Sequence, residues 1–228
     1  MASDTPVFLI TGASTGIGAE TARQAAEAGY RLVLAARSED KLQTLAGELP
    51  EAIAVRCDVT EWEDQQALVA RALDEYGRID VAFANAGFGG PRGFGEGEVE
   101  HWKAMVLTNV YGAALTIRAT REALIERKGH LLLMGSVAGR RALQGSLYSA
   151  TKWAVTGMGE SARQDFNDTG VRVTVIEPGM VDTPFFENPP EIEALHAEDV
   201  ARAVMFAVSQ PSRVDINEIL VRPTAQPG

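Results

Sequence analysis

The sequence predicts an α/β protein, a single doubly wound Rossmann-type domain over residues 1–228 whose parallel sheet is covered on both faces. Three observations predict it. Short apolar runs recur along the whole chain. Each is followed by a longer stretch whose apolar residues return at helical spacing. The first run ends in a glycine-rich turn that opens a helix. Strands that read as continuous apolar runs are buried on both faces, and alternation with helices is the mark of a parallel sheet.

The elements follow in order. A strand over 7–10 leads through the turn into a helix over 16–28, with Gly29 as its C-terminal cap. A second strand spans 32–36, and a helix over 39–49 sets Leu42, Leu45 and Leu49 on one face. After a third strand over 53–55, Trp62, Leu68, Val69, Leu73 and Tyr76 mark a helix that Gly77 stops. The fourth strand is 81–84. Residues 89–97, with five glycines and one proline, are the most loop-like stretch. Two helical stretches over 99–107 and 111–127 precede the fifth strand, 131–134. A long helix over 148–167, a strand over 171–176, a helix over 199–208 and a strand over 219–221 complete the chain.

Composition narrows the function classes. At 228 residues, with 46% apolar and 23% charged side chains, the chain has room for one full core. A net charge of -10 opposes binding to nucleic acid or to an anionic membrane, so neither is expected as a partner. Cys57, the single cysteine, excludes an intrachain disulfide and reads as a small buried hydrophobe. Residues 1–6 lack a charged segment followed by an apolar one, and no apolar run approaches the roughly 20 residues of a membrane span. A cytoplasmic location is expected. His101, His130 and His196 do not cluster with acids or cysteine at ligand spacing, so no metal is expected.

The turn Thr11-Gly12-Ala13-Ser14-Thr15-Gly16-Ile17-Gly18 lies between the first strand and the first helix. There glycines permit a sharp turn and close approach to a pyrophosphate, and the helix N-terminus offers free N–H groups. The end of the second strand chooses between cofactors. Where an acidic residue would meet the ribose hydroxyls of NAD, this chain has Ala36 and then Arg37, whose guanidinium suits a 2′-phosphate. The expected cofactor is therefore NADP(H). Asp58, after the third strand, reads equally as an adenine contact or as the cap of the next helix.

Tyr148 and Lys152, four residues apart, share a helix face. A free tyrosine titrates near about 10, and a neighbouring ammonium favours its phenolate. Such a tyrosine can give a proton to a carbonyl oxygen or take one from an alcohol. Ser136 follows the fifth strand at the sheet edge where open α/β folds bind ligands, and its hydroxyl can bond the reacting oxygen. Taken singly, each has a plainer reading: a chance Tyr-x-x-x-Lys, a helix cap at Ser136, a turn residue at Asn109.

Together with Thr11–Gly18, Asn85-Ala86-Gly87, Asn109 and Pro178-Gly179, these residues resemble the short-chain dehydrogenase/reductase family in composition and in order, along nearly the whole chain. The resemblance implies seven strands in the order 3-2-1-4-5-6-7. It also implies hydride transfer between nicotinamide and a carbonyl or alcohol substrate, with Asn109, Ser136, Tyr148 and Lys152 as the catalytic set. Asn109 would support a proton relay, and Lys152 would hold the ribose hydroxyls. Cofactor contacts are implied at Gly12, Ser14, Thr15, Gly16, Ile17, Gly18, Arg37, Asp58, Val59, Asn85, Ala86, Gly87, Tyr148, Lys152, Pro178, Gly179, Val181 and Thr183. Of these, Asn85 and Gly87 would shape the nicotinamide side of the cleft, and Thr183 would otherwise cap a short helix. Homodimers or homotetramers, built through the two long helices and the last strand, are common in the family. The ending over 216–224 resembles the NADP-dependent 3-hydroxy acid and serine dehydrogenase subgroup.

Two departures stand out. Ala84 stands where the family often has asparagine. The insert from Pro184 to Glu198 is short, with Phe185, Phe186 and Pro189-Pro190 forming a stub where many relatives have a lid. Arg140 and Arg141, between Ser136 and Tyr148, read as a solvated loop or as contacts to an acidic substrate. An NADP(H)-binding regulator with little turnover is the rival reading, and the intact catalytic set argues against it.

Overall fold

In the computed structural model, which describes residues 4–185 and 191–226, seven parallel strands form one sheet in the order β3-β2-β1-β4-β5-β6-β9. The strands are β1 (Val7–Thr11), β2 (Arg31–Ala36), β3 (Ala52–Arg56), β4 (Val81–Ala84), β5 (His130–Met134), β6 (Arg172–Pro178) and β9 (Glu218–Val221). Helices α1 (Gly16–Glu27), α2 (Glu39–Glu48), α3 (Trp62–Tyr76), α4 (Val99–Val106), α5 (Ala113–Arg127), α6 (Leu147–Asp165) and α7 (Ala197–Val208) connect them. The expected strand order is the one observed.

Side chains along a strand alternate between faces, and β1 shows how the two half-cores are filled. Val7 and Leu9 join residues of α3, α5 and α6 on one side. Phe8 and Ile10 join residues of α1, α2 and α7 on the other. All four are 0% exposed, each worth roughly 1.5–3 kcal/mol of burial, so a one-residue slip would exchange one packed set for another of the wrong shape. The register Ile10↔Leu34 and Ile10↔Phe83 fixes β1 between its neighbours. Because every strand is parallel, the segments after β1, β4, β5 and β6 all emerge at one edge.

Four expectations need correction. The helical stretches over 99–107 and 111–127 are one continuous helix, joined by a π-helical turn, Leu107–Gly112, that holds Asn109 inside it. Hydrophobic period alone does not distinguish a widened turn from a break. In α3, Leu73 is exposed and Gln65 is buried instead, bonding Val59 O, Thr116 Oγ1 and Gly112 O. Strand β6 runs past Ile176 to Pro178, so the charged Glu177 is a strand residue. Two short strands, β7 (Val181–Asp182) and β8 (Leu195–His196), pair outside the main sheet and flank the stub. Phe186, Pro189 and Pro190 of that stub lie outside the described residues.

Cys57 is buried, and burial pushes its thiol up to about 12, which suits a packing residue. Among the described residues, no helix is long and apolar enough to cross a membrane, and no group of three or more His, Cys, Asp or Glu could hold a metal ion.

Candidate active site

The phosphate turn is fixed from both ends. Thr11, at the end of β1, buries its hydroxyl, which donates to Phe83 O and accepts the amides of Asn85 (3.1 Å) and Ala86 (3.3 Å). Asn85 Nδ2 returns bonds to Thr11 O (2.9 Å) and Gly12 O (3.2 Å). The Asn85 side chain thus ties the start of the segment after β4 to the turn. Gly12 and Gly16 have φ of +65° and +56°, the left-handed region that favours glycine. At Gly18 a Cβ would stand 2.7 Å from Asn85 Nδ2 and also strike Gly12 O.

The first turn of α1 carries no acidic residue, and Thr15 at its N-cap makes no side-chain cap bond. Its amides and positive dipole end are thus left for an external anion. Thr183 reaches this point, its Cβ lying 3.5 Å from where a Gly16 Cβ would be. Thr183 Oγ1 accepts the Phe185 amide at 3.4 Å in a turn, with no helix for it to cap among the described residues. Arg37 is exposed just past β2 and forms no ion pair among the described residues. Beside the turn lies a cavity of about 230 Å³ whose lining includes Ser14, Arg23, Lys41 and Thr44. Unspent amides, backbone that excludes side chains and an unpaired guanidinium together fit a phosphorylated dinucleotide.

Asp58 is no helix cap. Its Oδ1 accepts Thr60 N (3.0 Å) and Thr60 Oγ1 (2.8 Å), while Glu61 occupies the N-cap of α3. Val59 is buried beside the π-helical turn, where a Cβ on Gly112 would come 2.7 Å from its Cγ2.

The catalytic candidates converge at the same sheet edge. Lys152 is 4% exposed on α6, its Nζ 5.6 Å from the centre of the Tyr148 ring and donating to Met134 O at 2.7 Å. Asn109 in the π-helical turn accepts Phe88 N (3.0 Å) on Oδ1 and donates Nδ2 to Phe88 O (2.9 Å) and Thr151 Oγ1 (3.1 Å). Gly87 fits between them, since a Cβ there would lie 2.9 Å from Asn109 Oδ1 and 3.6 Å from Lys152 Nζ. Ser136 is buried, caps the following 3-10 turn (Val137–Gly139) by accepting Ala138 N at 3.1 Å, and hydrogen-bonds Tyr148. The cap and the site roles expected of Ser136 thus coexist. Ser149 Oγ donates to Ala138 O at 2.6 Å and ties this turn to α6.

Tyr148 keeps some exposed surface, yet burial of its hydroxyl pushes the phenol up to about 12, with the Ser136 hydrogen bond pulling the other way. Burial holds Lys152 down to about 8. Desolvation thus outweighs the attraction that the Tyr-x-x-x-Lys spacing alone suggests.

Arg140 is held in place rather than solvated. Its Nε donates to both carboxylate oxygens of buried Glu177 at 2.8 Å, and its guanidinium also pairs with Glu218. After β6, Gly179 N donates to Val221 O (2.7 Å), and Met180 N donates to Gln226 Oε1 (2.9 Å). A Cβ on Gly179 would strike that same glutamine. Val181 is buried. Phe185 meets the Tyr148 ring edge-on at 5.6 Å and packs on Gly89, so it walls one side of the cleft. Opposite, Gly93 N donates to Gly145 O and joins two loops. The histidines hold structure. His101 bonds Gly89 O, His130 is buried against Thr174, and the His196 amide donates to Asp199 at the start of α7.

Sequence reasoning placed Thr11 in the turn without its hydroxyl's role, and missed Thr151, Ser149 and Glu177. For three of them the available signal was a polar residue placed in, or at the end of, an otherwise apolar face.

A family model described as short chain dehydrogenase matches residues 6–193. An uncharacterized oxidoreductase of Staphylococcus aureus (strain MRSA252) is 36% identical over 223 residues, covering 95% of this chain and 96% of that one. Among solved structures, an alcohol dehydrogenase from the archaeon Thermococcus sibiricus, complexed with 5-hydroxy-NADP, superposes with a TM-score of 0.93 at 31% identity, covering 99% of both chains. A closed form of serine dehydrogenase complexed with NADP+ gives 0.90 at 30% identity, covering 97% of this chain and 96% of that one.

Proposed function

The chain belongs to the short chain dehydrogenase family, and from that premise we propose that it is an NADP(H)-dependent oxidoreductase interconverting a carbonyl group and an alcohol, with residues 1–228 acting as one dinucleotide-binding and catalytic domain. The chemistry the nicotinamide supplies when bound is hydride transfer. The protein's part is to bind, orient and handle the proton. Amides of the Gly12–Gly18 turn and the start of α1 hold the pyrophosphate, Arg37 the 2′-phosphate, and Asp58 and Val59 the adenine side. Lys152 holds ribose hydroxyls. Pro178, Gly179, Val181 and Thr183 border the nicotinamide end, with Ala86 and Gly87 opposite.

Ser136 and Tyr148 grip the reacting oxygen. In reduction Tyr148 gives that oxygen its proton, and in oxidation it takes the proton back, with Lys152 and Asn109 linking it toward solvent. The observation that carries this reading is the convergence of Asn109, Ser136, Tyr148 and Lys152 at one sheet edge, Asn109 and Lys152 meeting at Gly87 and Lys152 lying 5.6 Å from the Tyr148 ring, beside a turn prepared for phosphate. The substrate is a ketone, an aldehyde or a hydroxy compound, and the serine dehydrogenase likeness supports including 3-hydroxy acids among candidates. The proposal extends to a cytoplasmic enzyme working as a homodimer or homotetramer. Support comes from the exposed Tyr111, Trp153 and Phe206 on helical surfaces.

Tyr148→Phe tests the core of it. Turnover of NADPH with a panel of aldehydes, ketones and 3-hydroxy acids, followed by absorbance, should fall by at least about 10²–10⁴-fold. NADPH binding by fluorescence titration should be nearly unchanged. Activity retained within tenfold of the unaltered protein would remove Tyr148 from the mechanism.

A further inference from the structure

Glu177 is a buried carboxylate for which the reaction outlined above has no use. It is 1% exposed in β6, on the sheet face where Val173 and Val175 meet α6. Its oxygens both accept Arg140 Nε at 2.8 Å, and Oε1 also accepts Thr156 Oγ1 at 3.0 Å. Arg140 ends the turn that follows Ser136, and its pairing with Glu218 extends the network to β9. Thr156 stands one helical turn beyond Lys152 on α6.

The backbone around Ser136 is drawn onto the same group. A Cβ on Gly135 would come 3.0 Å from Glu177 Cγ, and a Cβ on Gly139 would come 2.7 Å from Lys152 O and 2.8 Å from Thr156 Oγ1. Residues on both sides of Ser136 therefore bear on Glu177 and α6. The bonds of Ser136 itself hold it less firmly, with Ala138 N at 3.1 Å and Pro178 O at the outer limit of 3.5 Å. The buried carboxylate is thus held by a guanidinium that is itself a third exposed, and the network joins the Ser136 turn to both α6 and β9.

We propose that Glu177 is a positioning residue for the Ser136–Tyr148 pair. Through Arg140 it fixes the turn after Ser136, and through Thr156 it fixes α6, so that the serine hydroxyl and the tyrosine hydroxyl meet the same substrate oxygen. This rests on the reading of Ser136 and Tyr148 given above. No proton passes through Glu177, and it touches neither substrate nor cofactor.

The test is a double-mutant cycle on the full chain with NADPH. Glu177→Gln and, separately, Thr156→Val are placed in the unaltered protein and in Ser136→Ala, and kcat, KM and NADPH affinity are measured. Misplacement of a catalytic group by about 1 Å costs on the order of 100-fold, so Glu177→Gln should lower kcat by about 10–100-fold with NADPH affinity nearly unchanged. In the Ser136→Ala background the same change should cost several-fold less than in the unaltered protein, because the serine half of the pair it aligns is gone. Thr156→Val should follow the same pattern more weakly. Equal losses in both backgrounds, or no loss of kcat, would overturn the proposal. Should Glu177→Gln fail to fold by circular dichroism, the Thr156→Val cycle decides by the same criteria. Tyr148→Phe in the same assay separates the two ideas. Full activity there removes the catalytic reading and this inference with it, whereas an inactive Tyr148→Phe beside an additive Glu177 cycle removes this inference alone.

Discussion

Burial shifts Tyr148 and Lys152 in opposite directions for the same reason, the cost of the charged form. Burial keeps the phenol protonated, its value pushed up to about 12, and presses the ammonium down to about 8. The signs give a directional pH dependence. Under the proposed mechanism reduction needs the protonated phenol, so its kcat/KM should stay flat from about pH 6 to 8. Oxidation needs the phenolate, whose fraction grows with each pH unit below the phenol's value, so its kcat/KM should rise over that range. Above about pH 8 Lys152 loses the charge that supports the phenolate, and the rise should flatten. Profiles in both directions check this, and an oxidation rate that falls between pH 6 and 8 would contradict it. On the proposed reading, Arg37 governs the choice of cofactor. Arg37→Asp should weaken NADPH binding by about 10–100-fold, the worth of charge-assisted bonds to a phosphate, and raise NADH relative to it. A titration in which the unaltered protein already prefers NADH would refute that role. Tyr148, Lys152, Ser136 and Asn109 were legible in the sequence because each sits in a short motif at a fixed place in the order of elements. Glu177 was not, because its partner Arg140 lies 37 residues away and the pairing exists only once β6 and the Ser136 turn are side by side.

At the scale of elements, the phosphate turn and α1 form one unit held by Gly18. A methyl group there would press on Asn85 Nδ2 and Gly12 O, so the helix would have to tilt out of line with the turn. Gly18→Ala should therefore lose roughly 1–3 kcal/mol of stability, the usual cost of overpacking, and lower the thermal midpoint. It should weaken NADPH affinity as well, and a variant matching the unaltered protein in both would show that the turn tolerates the tilt. The strands were readable because parallel strands buried on two faces are nearly pure apolar runs. The π-helical turn was not readable, since Leu107 to Gly112 keeps helical polarity while adding a residue to the hydrogen-bonded ring. Strands β7 and β8, of two residues each, are too short to show any period and exist only through their pairing with each other.

For the molecule as a whole, the parallel sheet brings the turn after β1 and the segments after β4, β5 and β6 to one edge, which leaves substrate selection to whatever covers that edge. Phe185 walls one side against Tyr148. An insert this short in sequence offers few fixed contacts, so neighbouring homologues in a series of ketones and aldehydes should differ in kcat/KM by no more than the 1–3 kcal/mol of about one methylene. One substrate favoured over its close homologues by many thousandfold would show a fuller enclosure. The strand order was legible from motif order, whereas the clamp on the segment after β6 was not, because it joins distant stretches. That clamp has a consequence for how the protein is made. Gln226, which accepts the Met180 amide, is translated 46 residues after it. At about 5–20 residues per second, a ribosome spends roughly 2–9 s between adding Met180 and adding the glutamine that holds it. Through that interval the phosphate turn and α6 have already been synthesised while Met180 still lacks its partner, so the clamp on the segment after β6 can close only after residue 226 has been added.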